Sequence, residues 1–411
     1  MDFALSEDEE LFRGAVREFA AAVVAPAAAA ADEAGRFAPE VLARTAALGL
    51  FGMLVPEAHG GAGVGATRFV LALEEIARAS AAMASLLAAH NVLAALPLVL
   101  AGSAVQQARW LPALACGEAL GAGCGLDMGG AGDPSAAGVA PPRARADVDG
   151  WQIDGQARWV TNAGDAALYV AFAAIEGTAA AQPSAFLVPA DTVGVQAGPP
   201  IDKLGLRGAV TANLTLADCR LAAEARLEMG GEVARPPAAR GASRGDAGAR
   251  PTAEAAAGAA LGPAGLAARV GDLALIASAA QALGIAQASL DAALAYAQER
   301  QQFGQPIARF EGLRHMLADV ALALDAARLL VYRAAWLWES GQPAGKAAAM
   351  AKLHAGDTAF LAATKAVQVH GGYGYMLESA VQRYFRDAKV TQAAEGPGRQ
   401  QRATIADALL P

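Results

Sequence analysis

The spacing of apolar residues changes period twice along this 411-residue chain, and that double change constrains the fold more than any single motif. Residues 1–118 read as helices. Ser6 followed by Glu9 is a capping-box pattern, opening a segment with Leu11, Phe12, Val16 and Phe19 on one face. A second run over 67–88 sets Phe69, Leu73, Ile76 and Met83 at helical spacings. Pro26, Pro39 and the glycine-rich PEAHGGAGVG at 56–65 break the helices. Over 119–228 the period falls to 2: VDGWQIDGQARWVTNA carries two Asp-Gly turn signals, which predict hairpins, and LYVAFAAI, AFLVP and VTANLTL read as further strands. Helices return over 266–411. Leu313, Leu317, Val320, Leu324, Ala327 and Val331 step by fours and threes, and another helix is predicted over 346–369. Between the β zone and the last helices, 229–265 is rich in Pro, Gly and Arg with almost no large apolar residue, and reads as a surface insertion. The fold class expected is α+β, mainly α, in helical–β–helical order.

Composition excludes several functions. More than half the residues are apolar, yet no run of 18 or more lacks charge or helix breakers, so no membrane span is expected. The acidic start, MDFALSEDEELFRG, has no apolar stretch behind basic residues, so no signal peptide is read. A net charge of −8 argues against nucleic acid as a partner. Three cysteines without CxxC spacing point to a reducing, cytoplasmic setting, and five histidines without HxxxH or HExxH spacing give no metal site. Gly241-Ala-Ser243-Arg-Gly245 matches the GxSxG elbow of serine hydrolases, but a Pro-Pro stretch stands where the elbow needs a strand. Gly61-Ala-Gly63-Val-Gly65 lacks dinucleotide-binding spacing and reads as a turn between helices.

Several segments, in order, resemble the acyl-CoA dehydrogenase family. They are 49–82, WLPALACGEALGAGCGL (110–126), DGQARWVTNA (154–163), 283–320 with its ER-x-x-FG, and AVQVHGGYGYMLESAVQRYFRDAKVTQAAEG (366–396). The combination of ER-x-x-FG, Q-x-x-GG-x-G and RDAK carries the resemblance. It implies an N-terminal helical domain, a middle β-barrel and a C-terminal four-helix bundle, assembled as a homodimer or homotetramer. It also implies FAD, an acyl-CoA or other acyl-thioester substrate, and an electron-transfer flavoprotein as electron acceptor.

The implied chemistry has a physical logic. An α proton beside a thioester is weakly acidic, so a carboxylate must be held next to it in a dry pocket where desolvation raises its basicity. Glu395 matches the position of the family's usual base, and its backbone N–H would polarise the thioester carbonyl. Some members carry the base on the first helix of the bundle; the corresponding Leu273-Ala274-Leu275-Ile276 has no carboxylate. Trp159 and Thr161 match positions that pack against and hydrogen-bond the flavin. Arg300 and Phe303 match residues reaching a neighbouring subunit's FAD, and Gln368, Gly371 and Gly372 match the turn that approaches that same cofactor.

The chain departs from the pattern at the cofactor loops. Where the family usually reads Leu-Thr-Glu-Pro-Gly-x-Gly-Ser-Asp, this chain has Leu126-Asp127-Met128-Gly129-Gly130-Ala131-Gly132-Asp133-Pro134. Aligned without gaps, Leu126 and Asp127 meet the flavin and Asp133 replaces a phosphate-facing Ser; a one-residue deletion instead puts Asp133 on the family's own Asp. After Glu395, Gly-Thr-Ser becomes Gly396-Pro397-Gly398, and Arg399 is the candidate to pair with phosphate. Ala394 stands where an aromatic residue is usual, which widens the expected acyl pocket; Glu311 and Leu275 replace a common Gln and Arg. Relatives with other flavin chemistry (oxidases, monooxygenases, a desulfinase) and a scaffold without FAD are the alternatives.

Overall fold

The computed structural model describes residues 4–126, 141–177, 183–227 and 263–410. Asp127, Asp133, the 241–245 elbow match and residues 229–262 of the insertion lie outside them.

The N-terminal region builds α1 (Glu7–Phe19), α2 (Ala25–Ala34), α3 (Pro39–Ala47), α4 (Ala66–Ala79), α5 (Ala81–Ala88), α6 (Leu96–Ala101) and α7 (Ala104–Ala115). The capping box at Ser6 is present: Glu9 N–H donates to Ser6 Oγ at 3.3 Å, and Ser6 N–H donates to the Glu9 carboxylate at 2.8 Å. On α1, Val16 is buried with Phe12 and Phe19 packed beside it, whereas Leu11 is exposed. The stripe 12–16–19 alone meets the core, and Leu11 lies about 100° round the helix from Phe12. Phe69, Leu73, Ile76 and Met83 are all fully buried.

The middle region is a curled seven-stranded sheet: β1 (Gly121–Cys124), β2 (Arg143–Asp147), β3 (Gly150–Thr161), β4 (Leu168–Ile175), β5 (Pro183–Pro189), β6 (Val195–Ala197) and β7 (Thr211–Ala222). The order is β1-β4-β2-β3-β7-β6, with β5 on β4. The chain after β7 returns to β5, where Leu227 N–H donates to Ala185 O at 2.9 Å. On β4 the period of two divides two cores. Leu168, Val170 and Phe172 face the helices, and Tyr169, Ala171 and Ala173 face the sheet's own interior. The two Asp-Gly signals part company here. Asp149-Gly150 turns β2 into β3 as expected, but Asp154-Gly155 is a bulge inside β3, not a second hairpin. Asp154 Oδ1 accepts the Asp218 N–H of β7 at 2.7 Å, and a Cβ on Gly155 would sit 2.6 Å from Pro142 Cα, so glycine answers a close approach.

The last helical region opens at Pro263, three residues before the expected 266, with α8 (Pro263–Glu299). A small hairpin follows, β8 (Gln301–Gln302) and β9 (Gln305–Pro306), then α9 (Glu311–Glu339), α10 (Gly345–His370), α11 (Ala380–Thr391) and α12 (Gly398–Asp407). Helices α8 to α11 pack on one another as a four-helix bundle, and α4 lies against α8 and α9. One apolar core therefore runs from the N-terminal helices through the bundle to one face of β4 and β5. Among the described residues, three helical stretches are long and apolar enough to cross a membrane: Glu7–Ala34, Ala81–Ala101 and Gly265–Glu299. The second and third are mostly buried inside this fold, so their apolar side chains are used in its core.

Candidate active site

Glu395 sits on the loop between α11 and α12, partly buried, with φ 53. That left-handed backbone is unusual for a residue with a side chain, and Gly396 follows at φ 97. Two buried side chains hold the turn. Gln401 Nε2 donates to Glu395 O at 3.1 Å, and Lys352 Nζ donates to Gly396 O at 2.7 Å and to Gln392 O at 3.4 Å. Lys352 is only 1 % exposed. Burial pushes its amine down to about 8, opposed by the nearby charges of Glu395 and Asp357. A cavity of about 210 Å³ lies beside it, lined by Lys352, Leu353, Asp357, Gln392, Gly398 and Arg402.

Sequence reasoning passed over Lys352 and Gln401. The signal for Lys352 was present: it lies in phase with Ala348, Ala355, Ala359 and Ala366 on the buried stripe of α10. At the alternative base position, Leu273, Ala274 and Ile276 are buried. Just before them stands Asp272, whose carboxyl burial raises to about 6, against the opposing charge of Arg269. It faces the start of α10, with Oδ1 3.3 Å from where a Cβ on Gly345 would lie.

The cofactor candidates fall into two groups. Trp159 and Thr161 end β3, where Thr161 pairs with Thr211. Trp159 is 71 % exposed on a left-handed backbone, φ 57, and its N–H donates to Asn213 Oδ1 at 3.3 Å. This strand end is tied to the helix that leads to Glu395. Lys203 Nζ donates to Thr211 Oγ1 at 2.9 Å, and Leu206 N–H donates to Asp387 Oδ1 on α11 at 2.6 Å. Leu126, partly buried just after β1, packs against the main core.

The second group gathers at the far end of α10. Tyr296 stacks on His370 at 4.3 Å and the Arg300 guanidinium lies 5.8 Å from the Tyr373 ring centre, which brings Arg300 beside the Gly371-Gly372 turn. Gln368 and Phe303 are exposed, Phe303 at 93 %. A Cβ on Gly371 or Gly372 would meet no atom within 4 Å, so the space beside this turn is open. From Lys352 to His370 the helix spans roughly 27 Å at 1.5 Å per residue. Glu395 and the Arg300–Gly372 group therefore belong to opposite ends of α10. Arg399, exposed on the first turn of α12, stays with the Glu395 end.

Three family models match consecutive stretches of the chain: acyl-CoA dehydrogenase N-terminal domain over residues 6–118, middle domain over 131–219 and C-terminal domain over 272–410. The chain is 36% identical over 410 residues to the mitochondrial short-chain specific acyl-CoA dehydrogenase of Mus musculus, covering 99% of this chain and 91% of that protein. It superposes on butyryl-CoA dehydrogenase from Megasphaera elsdenii with a TM-score of 0.85 at 32% identity, covering 100% of both chains. A glutaryl-CoA dehydrogenase from Mycobacterium smegmatis, solved in complex with FADH2, matches with a TM-score of 0.82 at 25% identity, covering 99% of this chain and 95% of that one.

Proposed function

Because the chain belongs to the acyl-CoA dehydrogenase family, oxidoreductases acting on CH–CH bonds whose members bind FAD, we propose that it converts a short acyl-CoA to its 2,3-enoyl product with Glu395 as the base. The observation that carries this reading is the Glu395 turn: a carboxylate on a left-handed backbone whose own carbonyl and the next are each held by a buried side chain. Such a turn costs conformational energy and is kept where the fold over-determines it, as functional sites do. The similarity to a short-chain and a butyryl-CoA enzyme supports the short acyl group.

The residues fit a flavin. Trp159 offers an exposed ring at the end of β3, Thr161 a hydroxyl beside it, and Arg399 a cation near Glu395. Bound FAD supplies the acceptor for the β hydrogen, which leaves as hydride. Glu395 takes the α proton as the C–H bond breaks, and the electron pair left behind enters the new carbon–carbon double bond. Arg300, Phe303, Gln368, Gly371 and Gly372 belong to the group at the far end of α10, too distant from Glu395 to serve that site in the same chain. They reach the FAD of a second copy, so the working unit is at least a homodimer. An electron-transfer flavoprotein is the reoxidant that the family resemblance implies.

The test is anaerobic. Protein purified with flavin bands near one FAD per chain should bleach on adding butyryl-CoA. Glu395→Gln should slow bleaching by at least a thousandfold while leaving the oxidised spectrum intact; bleaching at the parent rate would remove Glu395 from the mechanism.

A further inference from the structure

We propose that Lys352 and Gln401 form a clamp on the catalytic turn, with Lys352 as the positioning residue that sets where the Glu395 carboxylate stands. The inference rests on the base reading above but concerns different residues. Three observations support it. The carbonyls of Glu395 and Gly396 are successive, and each accepts from a different buried side chain, one rising from α10 and one reaching back from α12. Glu395 and Gly396 both hold positive φ, so the turn has no regular backbone ladder to define it. The residue after them is Pro397, which has no N–H to donate and no side-chain acceptor to cap α12.

The cost of ordering Lys352 suits this role better than a packing role. A lysine nine-tenths or more buried is rare because its charge loses hydration, and an alanine or leucine would fill the stripe of α10 without that cost. What only a long cationic side chain supplies here is a charge-assisted donor to two loop carbonyls at once, those of Gln392 and Gly396. These two carbonyls bracket Glu395. Asp357 on the same helix, Glu395 on the loop and Arg402 across the 210 Å³ cavity are the charged groups around it. Gln401 completes the bracket from the other side, 2 % exposed.

The experiment compares Lys352→Met, Lys352→Arg and Gln401→Leu with the parent, each as the full-length flavoprotein, by two readouts. In stopped-flow bleaching with butyryl-CoA, Lys352→Met should lower the limiting rate at least tenfold, leaving the half-saturating concentration and the FAD content within twofold of the parent. Lys352→Arg, with the cavity to accept its longer side chain, should recover most of that rate, and Gln401→Leu should fall between. Amide hydrogen exchange of the peptide covering 393–398 should quicken at least tenfold in Lys352→Met and much less elsewhere on α10 and α11. If the parent does not bleach with butyryl-CoA but exchange quickens in this pattern, the proposed reaction fails and the clamp stands. Exchange unchanged at 393–398, or slowed bleaching that Arg does not recover, overturns the clamp. Should Lys352→Met not fold, Gln401→Leu and Lys352→Arg carry the same comparison.

Discussion

Six non-glycine residues among those described have a left-handed backbone, and three of them, Trp159, Phe303 and Glu395, are residues that the sequence pattern had already placed at a site. For an aromatic residue this conformation costs on the order of 1–3 kcal/mol. Phe303 shows the conflict most clearly. It forms with Gly304 (φ 79) the two-residue loop joining β8 to β9, both at positive φ, where Asn-Gly is the favoured pair. Its ring is 93 % exposed and makes only an edge contact with Phe310, 6.1 Å away. Local stability would thus be better served by another residue, which is consistent with a ring held ready for a partner copy. Phe303→Asn should raise the thermal stability of flavin-free protein by about 0.5–1 kcal/mol and weaken FAD retention at least tenfold, measured by flavin release on dilution. A variant that is no more stable and holds FAD as tightly would contradict both halves.

At the scale of elements, the start of α4 is capped from a distance. Its N-cap, Gly65, has no side chain, and the carboxylate of Glu339 at the end of α9 takes over: Oε2 accepts Thr67 N–H at 3.0 Å and Thr67 Oγ1–H at 2.7 Å. A Cβ on Gly65 would stand 2.1 Å from Glu339 Oε1, so glycine is required for the carboxylate to reach the helix. Glu339→Ala leaves two buried donors unpaired and should cost about 1–3 kcal/mol. Gly65→Ala should cost a similar amount by displacing the same carboxylate. The double variant should therefore lose much less than the sum in denaturant titration, because both changes break one interaction. This cap explains what was legible in the sequence and what was not. Period and local caps are properties of neighbouring residues, so the helical–β–helical order, the Ser6–Glu9 box and the α9 stripe could be read directly. The Glu339 cap, the Asp154-Gly155 bulge and the Lys352 contact depend on which distant segment lies opposite, and no local pattern carries that. Of the site, the ER-x-x-FG, GG-x-G and Glu395 segments were legible as a family pattern, while the residues that hold Glu395 in place were not. A lone Lys in an Ala-rich helix ordinarily reads as a solvated face, and Asp272 drew no notice for the same reason.

Across the whole molecule, α11 ties the N-terminal helices, the sheet and the Glu395 loop together. Arg386 pairs with Asp32 of α2 at 2.5 and 3.0 Å and donates to Leu204 O at 2.9 Å. Its neighbour Asp387 is buried and accepts Leu206 N–H. Burial raises the Asp387 carboxyl to about 6 from 3.8, with the Leu206 hydrogen bond and the charges of Arg386 and Arg383 opposing the rise and Asp32 adding to it. A carboxyl whose folded value lies above its unfolded one binds its proton more tightly in the folded state. Its contribution to stability is therefore most favourable below about pH 4, and is progressively lost as pH rises to about 6 and beyond. At 1.36 kcal/mol per unit the full loss is roughly 3 kcal/mol. Asp387→Asn keeps an oxygen for Leu206 N–H and removes the charge. The variant should match the parent near pH 4 and exceed it by roughly 2–3 kcal/mol at pH 7, as measured by denaturant titration at each pH. A difference that stays constant across this range would mean that Asp387 is ionised throughout, with the Leu206 hydrogen bond and the charges of Arg386 and Arg383 strong enough to offset its burial. The Arg386–Asp32 junction would then hold the three regions together by charge, and with its side chains only 19 % and 18 % exposed, added salt should weaken it little.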